Sequence, residues 1–150
     1  MAPAGWRTSA AAIRRASGKP LALLLDTTVL IDALRGRPAA ERLRSARELG
    51  EAPPFTCVIN VEEVVRGILG HEREAVARFL SALRLAPLRR REGELAGSWR
   101  RQFASRGITL SQADCLIAAA ALGVGATLAT GNPKHFPMPE LAVEHWPIGS

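Results

Sequence analysis

Leu21 to Asp26 reads LALLLD, an unbroken apolar run closed by an acid, and predicts a buried parallel strand. Thr27 or Thr28 can cap the helix predicted over Val29–Leu34, which Gly36 stops. Pro38 opens a second helix running through Leu49, with Leu43, Ala46 and Leu49 on one stripe. After Pro53 and Pro54, Phe55–Ile59 (FTCVI) predicts a second buried strand, and Asn60 is the expected N-cap of a helix over Val61–Leu69. Residues 72–84 carry a helical period, Leu85–Leu88 a short strand, and Glu92–Ser105 a basic helix. Ser111 should cap a buried helix over Gln112–Leu122, ended by Gly123 and Gly125. Ala126–Thr130 and Ala142–His145 complete the strands. Strands alternating with helices predict an α/β domain with a mainly parallel sheet.

Composition narrows this reading. A chain of 150 residues suits one domain able to cover both faces of a sheet, and 47% apolar with 23% charged residues is ordinary for a globular protein. No apolar run reaches the roughly 18 residues that cross a bilayer, so no membrane association is expected. Cys57 and Cys115 lie in apolar runs outside any metal spacing, and read as reduced core thiols suited to the cytoplasm. Residues 1–19 have no apolar core of a secretory signal and are expected to form a disordered basic extension, with a single domain over 20–150. That extension holds Arg7, Arg14, Arg15 and Lys19, which supply most of the net charge of +6. A second basic stretch contains Arg89, Arg90, Arg91, Arg100 and Arg101. These five are candidate RNA-binding residues, the alternative being arginines that are simply solvated.

The acids carry the chemistry. In a parallel sheet, ligands bind outside the carboxyl ends of the strands. Asp26 ends the first strand, Glu63 is expected early in the helix after the second, and Asp114 early in the helix that returns to the fourth. All three therefore reach one edge, where Thr130 and Asn132 also leave the fourth strand. Neighbouring carboxylates repel unless a cation stands among them. Hard oxygen ligands suit Mg²⁺, with Mn²⁺ able to substitute, and such an ion activates water for phosphodiester hydrolysis. Asp26, Glu63 and Asp114 are thus the candidate catalytic and metal-ligating residues. Thr130 and Asn132 are candidates for orienting a water or phosphate, and His135 for donating a proton. Asp32 is either an outer member of the site or an exposed helix acid.

These segments resemble the motifs of the PIN-domain family, and of its VapC-type toxin ribonucleases in particular. LLLDTTVLIDALRG is similar to the first motif, and VINVEEVVRGIL to the second, whose glutamate stands four residues before a glycine. That spacing selects Glu63, with Gly67, over Glu62. RGITLSQADCLIAAAALGVGATLATGNPKHF resembles the third block, opened by Asp114. The short format and the terminal EHWP point to the VapC branch. The resemblance implies a three-layer α/β/α PIN-like domain with a five-stranded sheet in order 3-2-1-4-5. It also implies a homodimer or toxin–antitoxin hetero-oligomer, a cognate antitoxin and metal-dependent cleavage of RNA. One departure stands out: the loop from Thr130 to His135 lacks the fourth acid that many relatives carry there.

Other readings fit less well. A haloacid-dehalogenase-type phosphatase needs a second aspartate where this chain has Thr28, and neither GxGxxG nor a GxxxxGK[ST] loop is present. The remaining rival is a PIN-like domain that binds RNA or a partner without cutting. For an antitoxin helix, Val29, Leu30, Leu34, Val64 and Ile68 form the expected docking surface, the alternative being that these same residues face the core.

Overall fold

The computed structural model describes residues 22–68 and 70–149. The expectation of a disordered extension over residues 1–19 lies outside them. Five strands form one sheet: β1 (Leu23–Leu25), β2 (Phe55–Thr56), β3 (Arg84–Leu85), β4 (Thr127–Thr130) and β5 (Val143–His145). Their order is β3-β2-β1-β4-β5, and every neighbouring pair is parallel. The helices are α1 (Thr27–Leu34), α2 (Pro38–Glu48), α3 (Val58–Gly67), α4 (Arg73–Ser81), α5 (Arg90–Ala104) and α6 (Gln112–Gly123). None of the helices among the described residues is long and apolar enough to cross a membrane.

The period of two along each strand divides the core into two clusters. Leu24, Leu128 and Val143 point to one face, where Trp99 and Phe103 of α5 and Ile117 and Ala118 of α6 cover them. Leu23, Leu25 and Ala129 point to the other, against Val29, Leu30, Ala39, Val64 and Val76. Alanine-rich α6 presents side chains small enough for α5 and the sheet to approach closely, which is why both of its faces are buried. Both cysteines are buried and unpaired.

Four expectations need correcting. Asp26 is the N-cap of α1, and Thr27 and Thr28 lie inside the helix. FTCVI is not all strand: β2 stops at Thr56 and α3 starts at Val58, so Cys57, and not Asn60, is its N-cap. The cause is Asn60 itself, whose Oδ1 accepts the Cys57 backbone N–H at 3.1 Å from the third helical position. Asp32 is neither exposed nor at the site. It is 3% exposed, and its carboxylate accepts the backbone N–H groups of Ala39, at the start of α2, and Gly149. Val29, Leu30 and Val64 belong to the core, so they offer no surface to a partner helix.

Helix α5 begins on a buried acid. Glu92 is 2% exposed; its Oε1 accepts the Arg89 backbone N–H at 2.7 Å, and its Oε2 lies 3.0 Å from Arg91 Nε. At Gly123 an added Cβ would lie only 3.3 Å from Glu92 Oε2, so this acid also packs against the end of α6. The Arg89 N–H bond above all, with the Arg89 and Arg91 charges, holds the carboxyl below its ordinary value despite burial. A depressed folded-state pKa stabilises the fold above the unfolded value and is lost as pH falls through the folded one. Glu92→Ala should therefore cost about 1–3 kcal/mol near neutral pH. In denaturant melts its gap from wild type should narrow as the pH drops through the carboxylate range; a constant gap would contradict this role.

Candidate active site

Asp26 follows β1 at the carboxyl edge of the sheet and is 6% exposed. The backbone there must leave the strand and enter α1 at once, so the side chain is held between β1 and β4. Two threonines address the same oxygen: Thr130 donates to Oδ2 at 2.7 Å and Thr28 at 3.4 Å. Each hydroxyl is itself fixed by a backbone donor, Asn132 N–H to Thr130 at 3.0 Å and Gly131 N–H to Thr28 at 2.9 Å. Gly131 comes close enough that a Cβ would meet Thr28 Oγ1 at 3.3 Å and Ile148 Cγ2 at 3.0 Å. The residue type therefore protects this carboxylate's support.

Glu63 projects from the second turn of α3, and its Oε1 accepts the Thr27 hydroxyl at 2.7 Å. Its neighbour Glu62 points outward and pairs with Arg66 on the surface. Asp114 sits in the first turn of α6, where its backbone N–H is capped by Ser111 Oγ at 3.0 Å. His135, 59% exposed, stands beside it with Nδ1 3.6 Å from Asp114 Oδ2. The fold thus carries all three sequence-selected acids to one edge.

Burial, chiefly, and then the charges of Asp114 and Glu63 push the Asp26 carboxyl above its ordinary value, against the bonds from Thr130 and the Thr27 N–H. Among the described residues no lysine or arginine pairs with Asp26 or Glu63. Nor do three His, Cys, Asp or Glu side chains there close into a cage that would hold an ion by themselves. This donor set suits a hard divalent cation that retains much of its water shell and needs only one or two direct carboxylates. Asp26, Glu63 and Asp114 are the residues that could hold it.

The other sequence-selected residues separate. Thr130 is fully buried, and its hydroxyl orients Asp26 instead of facing solvent; Asn132 is exposed beside it. The basic stretch splits between two ends of α5. Arg100 Nε donates to the Leu110 carbonyl at 3.2 Å, close to the start of α6 where Asp114 stands, and Arg101 follows it. Arg89 and Arg91 pair with Glu92 near Gly123, at the far end of α6, with Arg90 between them. From Asp114 to Gly123 the helix rises about 14 Å. Sequence reading took Thr27, Thr28 and Asn60 only as helix caps and missed their contacts at the site. The hydroxyls directly after the strand-ending acid were its only available signal.

The PIN domain family profile matches residues 23–139. Ribonuclease VapC10 of Mycobacterium tuberculosis is 38% identical over 121 residues, which cover 77% of this chain and 86% of that relative. Ribonuclease VapC19 of the same species is 35% identical over 118 residues, covering 77% and 92%. Among solved structures, the DNA-bound VapBC from Salmonella typhimurium has a TM-score of 0.72 at 26% identity, covering 84% of this chain and 98% of that one. VapBC2 from Rickettsia felis, bound to a DNA fragment from its promoter, shares the fold with a TM-score of 0.71 at 23% identity, covering 84% and 99%. A profile spanning most of the chain and relatives of this identity and coverage agree: the chain belongs to the PIN-domain family, among its VapC-type members.

Proposed function

We propose that this chain is the toxin of a VapBC-type pair, an endoribonuclease that hydrolyses RNA phosphodiester bonds with Mg²⁺, or Mn²⁺ in its place. One observation carries the reading: a buried carboxylate, Asp26, is forced up by burial and by two neighbouring acids, and no basic side chain among the described residues relieves it. A bound divalent cation would neutralise that cluster, polarise a phosphoryl oxygen and favour ionisation of the attacking water. Asp26, Glu63 and Asp114 would hold it. Thr130 and Thr28 keep Asp26 in one orientation, so its charge needs no rearrangement when substrate arrives. Asn132 and His135 stand exposed at the same edge, placed to meet a phosphate or leaving oxygen.

Arg100 and Arg101 lie towards the Asp114 end of α5 and would take phosphates of the RNA; Arg89 and Arg91, already paired with Glu92, would contribute less. The likeness to VapBC structures and to a toxin–antitoxin complex supports a partner of that kind, and a cognate antitoxin is proposed here too. We further propose a homodimer or toxin–antitoxin assembly working in the cytoplasm.

Purified protein incubated with total RNA tests the reading. Discrete cuts with Mg²⁺, absent with EDTA and absent in Asp114→Asn, are expected. Arg101→Ala should weaken RNA binding across sequences and lower the salt slope by roughly one. RNA left intact with Mg²⁺, or cut equally in EDTA, would overturn the nuclease and favour a PIN domain that only binds.

A further inference from the structure

Glu63 does not hold its position alone. Its Oε1 accepts the Thr27 hydroxyl at 2.7 Å, and that hydroxyl in turn accepts Asn60 Nδ2 at 3.0 Å. Asn60 is fully buried on α3, one turn before Glu63, and its Oδ1 receives both the Cys57 backbone N–H at 3.1 Å and the Cys57 thiol at 3.2 Å. These contacts give the chain of bonds a single polarity. A backbone N–H can only donate, so the Asn60 oxygen must face Cys57 and its NH₂ must face Thr27. The Thr27 oxygen, once it accepts from Asn60, directs its one hydrogen to Glu63. Glu63 is thereby met as an acceptor, the state in which a carboxylate binds a cation.

We propose that Asn60 is a positioning residue that fixes Glu63 through Thr27. It couples the amino end of α3 to the first residue of α1, so the two helices that flank Asp26 present their polar groups in one register. Asn60 thus has two separable duties. Its oxygen caps α3, which concerns stability alone; its NH₂ orders Thr27, which concerns the carboxylate site. The inference rests on the metal-dependent reading of that site, and predicts losses of the kind seen when an outer hydrogen-bond partner of a metal ligand is removed.

The test uses the full chain with Asn60→Ala, Thr27→Val and the double variant, each titrated with Mn²⁺ alone by electron paramagnetic resonance. Thermal midpoints without metal and RNA cleavage are measured alongside. Each single variant should weaken Mn²⁺ binding roughly 10-fold or more, and the double variant should be little worse than either, because both break one path. Asn60→Ser, which keeps a short polar side chain at the start of α3 but has no NH₂ to donate to Thr27, should lose Mn²⁺ affinity with a smaller fall in thermal midpoint than the alanine variant, and it serves if that variant fails to fold. Mn²⁺ affinity within about twofold of wild type in a folded Asn60 variant overturns the proposal and leaves only a helix cap. So do losses that multiply in the double variant. A wild-type protein that binds Mn²⁺ but cuts no RNA overturns the nuclease reading instead, and leaves the positioning role to be judged by affinity.

Discussion

Asp26→Asn should abolish metal-dependent RNA cleavage, by at least roughly a hundredfold, and yet raise the thermal midpoint of the metal-free protein. The two effects have one cause. Asparagine keeps an oxygen to accept the Thr130 and Thr28 hydroxyls, so the packing at the end of β1 survives. What disappears is a charge that burial opposes first, and the Asp114 and Glu63 carboxylates second. A carboxyl whose folded pKa lies above its unfolded value contributes stability below the unfolded value, and loses it as pH rises through the folded one. Without metal, the Asp26 carboxyl therefore costs stability that asparagine spares as pH rises. The midpoint difference between variant and wild type should widen as pH rises through and beyond the ordinary carboxylate range. Added Mg²⁺ should reverse the order, because only the wild type gains the stabilisation of a bound ion. Melting curves in EDTA and in Mg²⁺ at several pH values measure this. A variant that melts lower than wild type in EDTA, or cuts RNA at the wild-type rate, would contradict the assignment.

Trp99→Ala should be the most damaging single change in the core, at about 3–5 kcal/mol. Trp99 is 1% exposed on the sheet-facing side of α5, and its Nε1 donates to Glu140 Oε2 at 2.9 Å. It therefore joins α5 to the segment leading into β5 while filling the space against α6. For a domain of this size the thermal midpoint should fall by about 10 °C. Trp99→Phe keeps most of the volume and loses the bond, and should cost about 1–2 kcal/mol. Chemical denaturation of both variants measures the difference, and equal costs would mean that the bond to Glu140, and not the ring, holds α5 in place.

The fold was largely legible because burial along a chain is a one-dimensional signal. The unbroken apolar run before Asp26, the alternation that sends Leu24 to one face and Leu25 to the other, and the glycines after helices all lie within a few residues of what they specify. FTCVI misled for the same reason. Period alone cannot divide an apolar run between strand and helix, and the division was made by one side chain, Asn60, reaching back to Cys57. Asp32 misled because a short polar side chain on a helix looks solvated until another segment, here at Ala39 and Gly149, brings it backbone donors.

The candidate site divides along the same line. By itself the sequence determined which acids meet: a strand end and the first two turns of two helices in a parallel sheet have only one edge to share, and the resemblance to the family's second motif, with its glycine at Gly67, chose Glu63 over Glu62. Tertiary structure alone decided what those acids experience. Thr130 reaches Asp26 across 104 residues, Asn60 reaches Thr27 across 33, and the arginines of α5 part towards opposite ends of α6. The physical reason is that apolar side chains are driven by water, which every position meets, so their pattern can be read locally. A hydroxyl, an amide or a guanidinium is committed only by the particular partner that packing brings within about 3 Å, and nothing in its own neighbourhood of sequence names that partner.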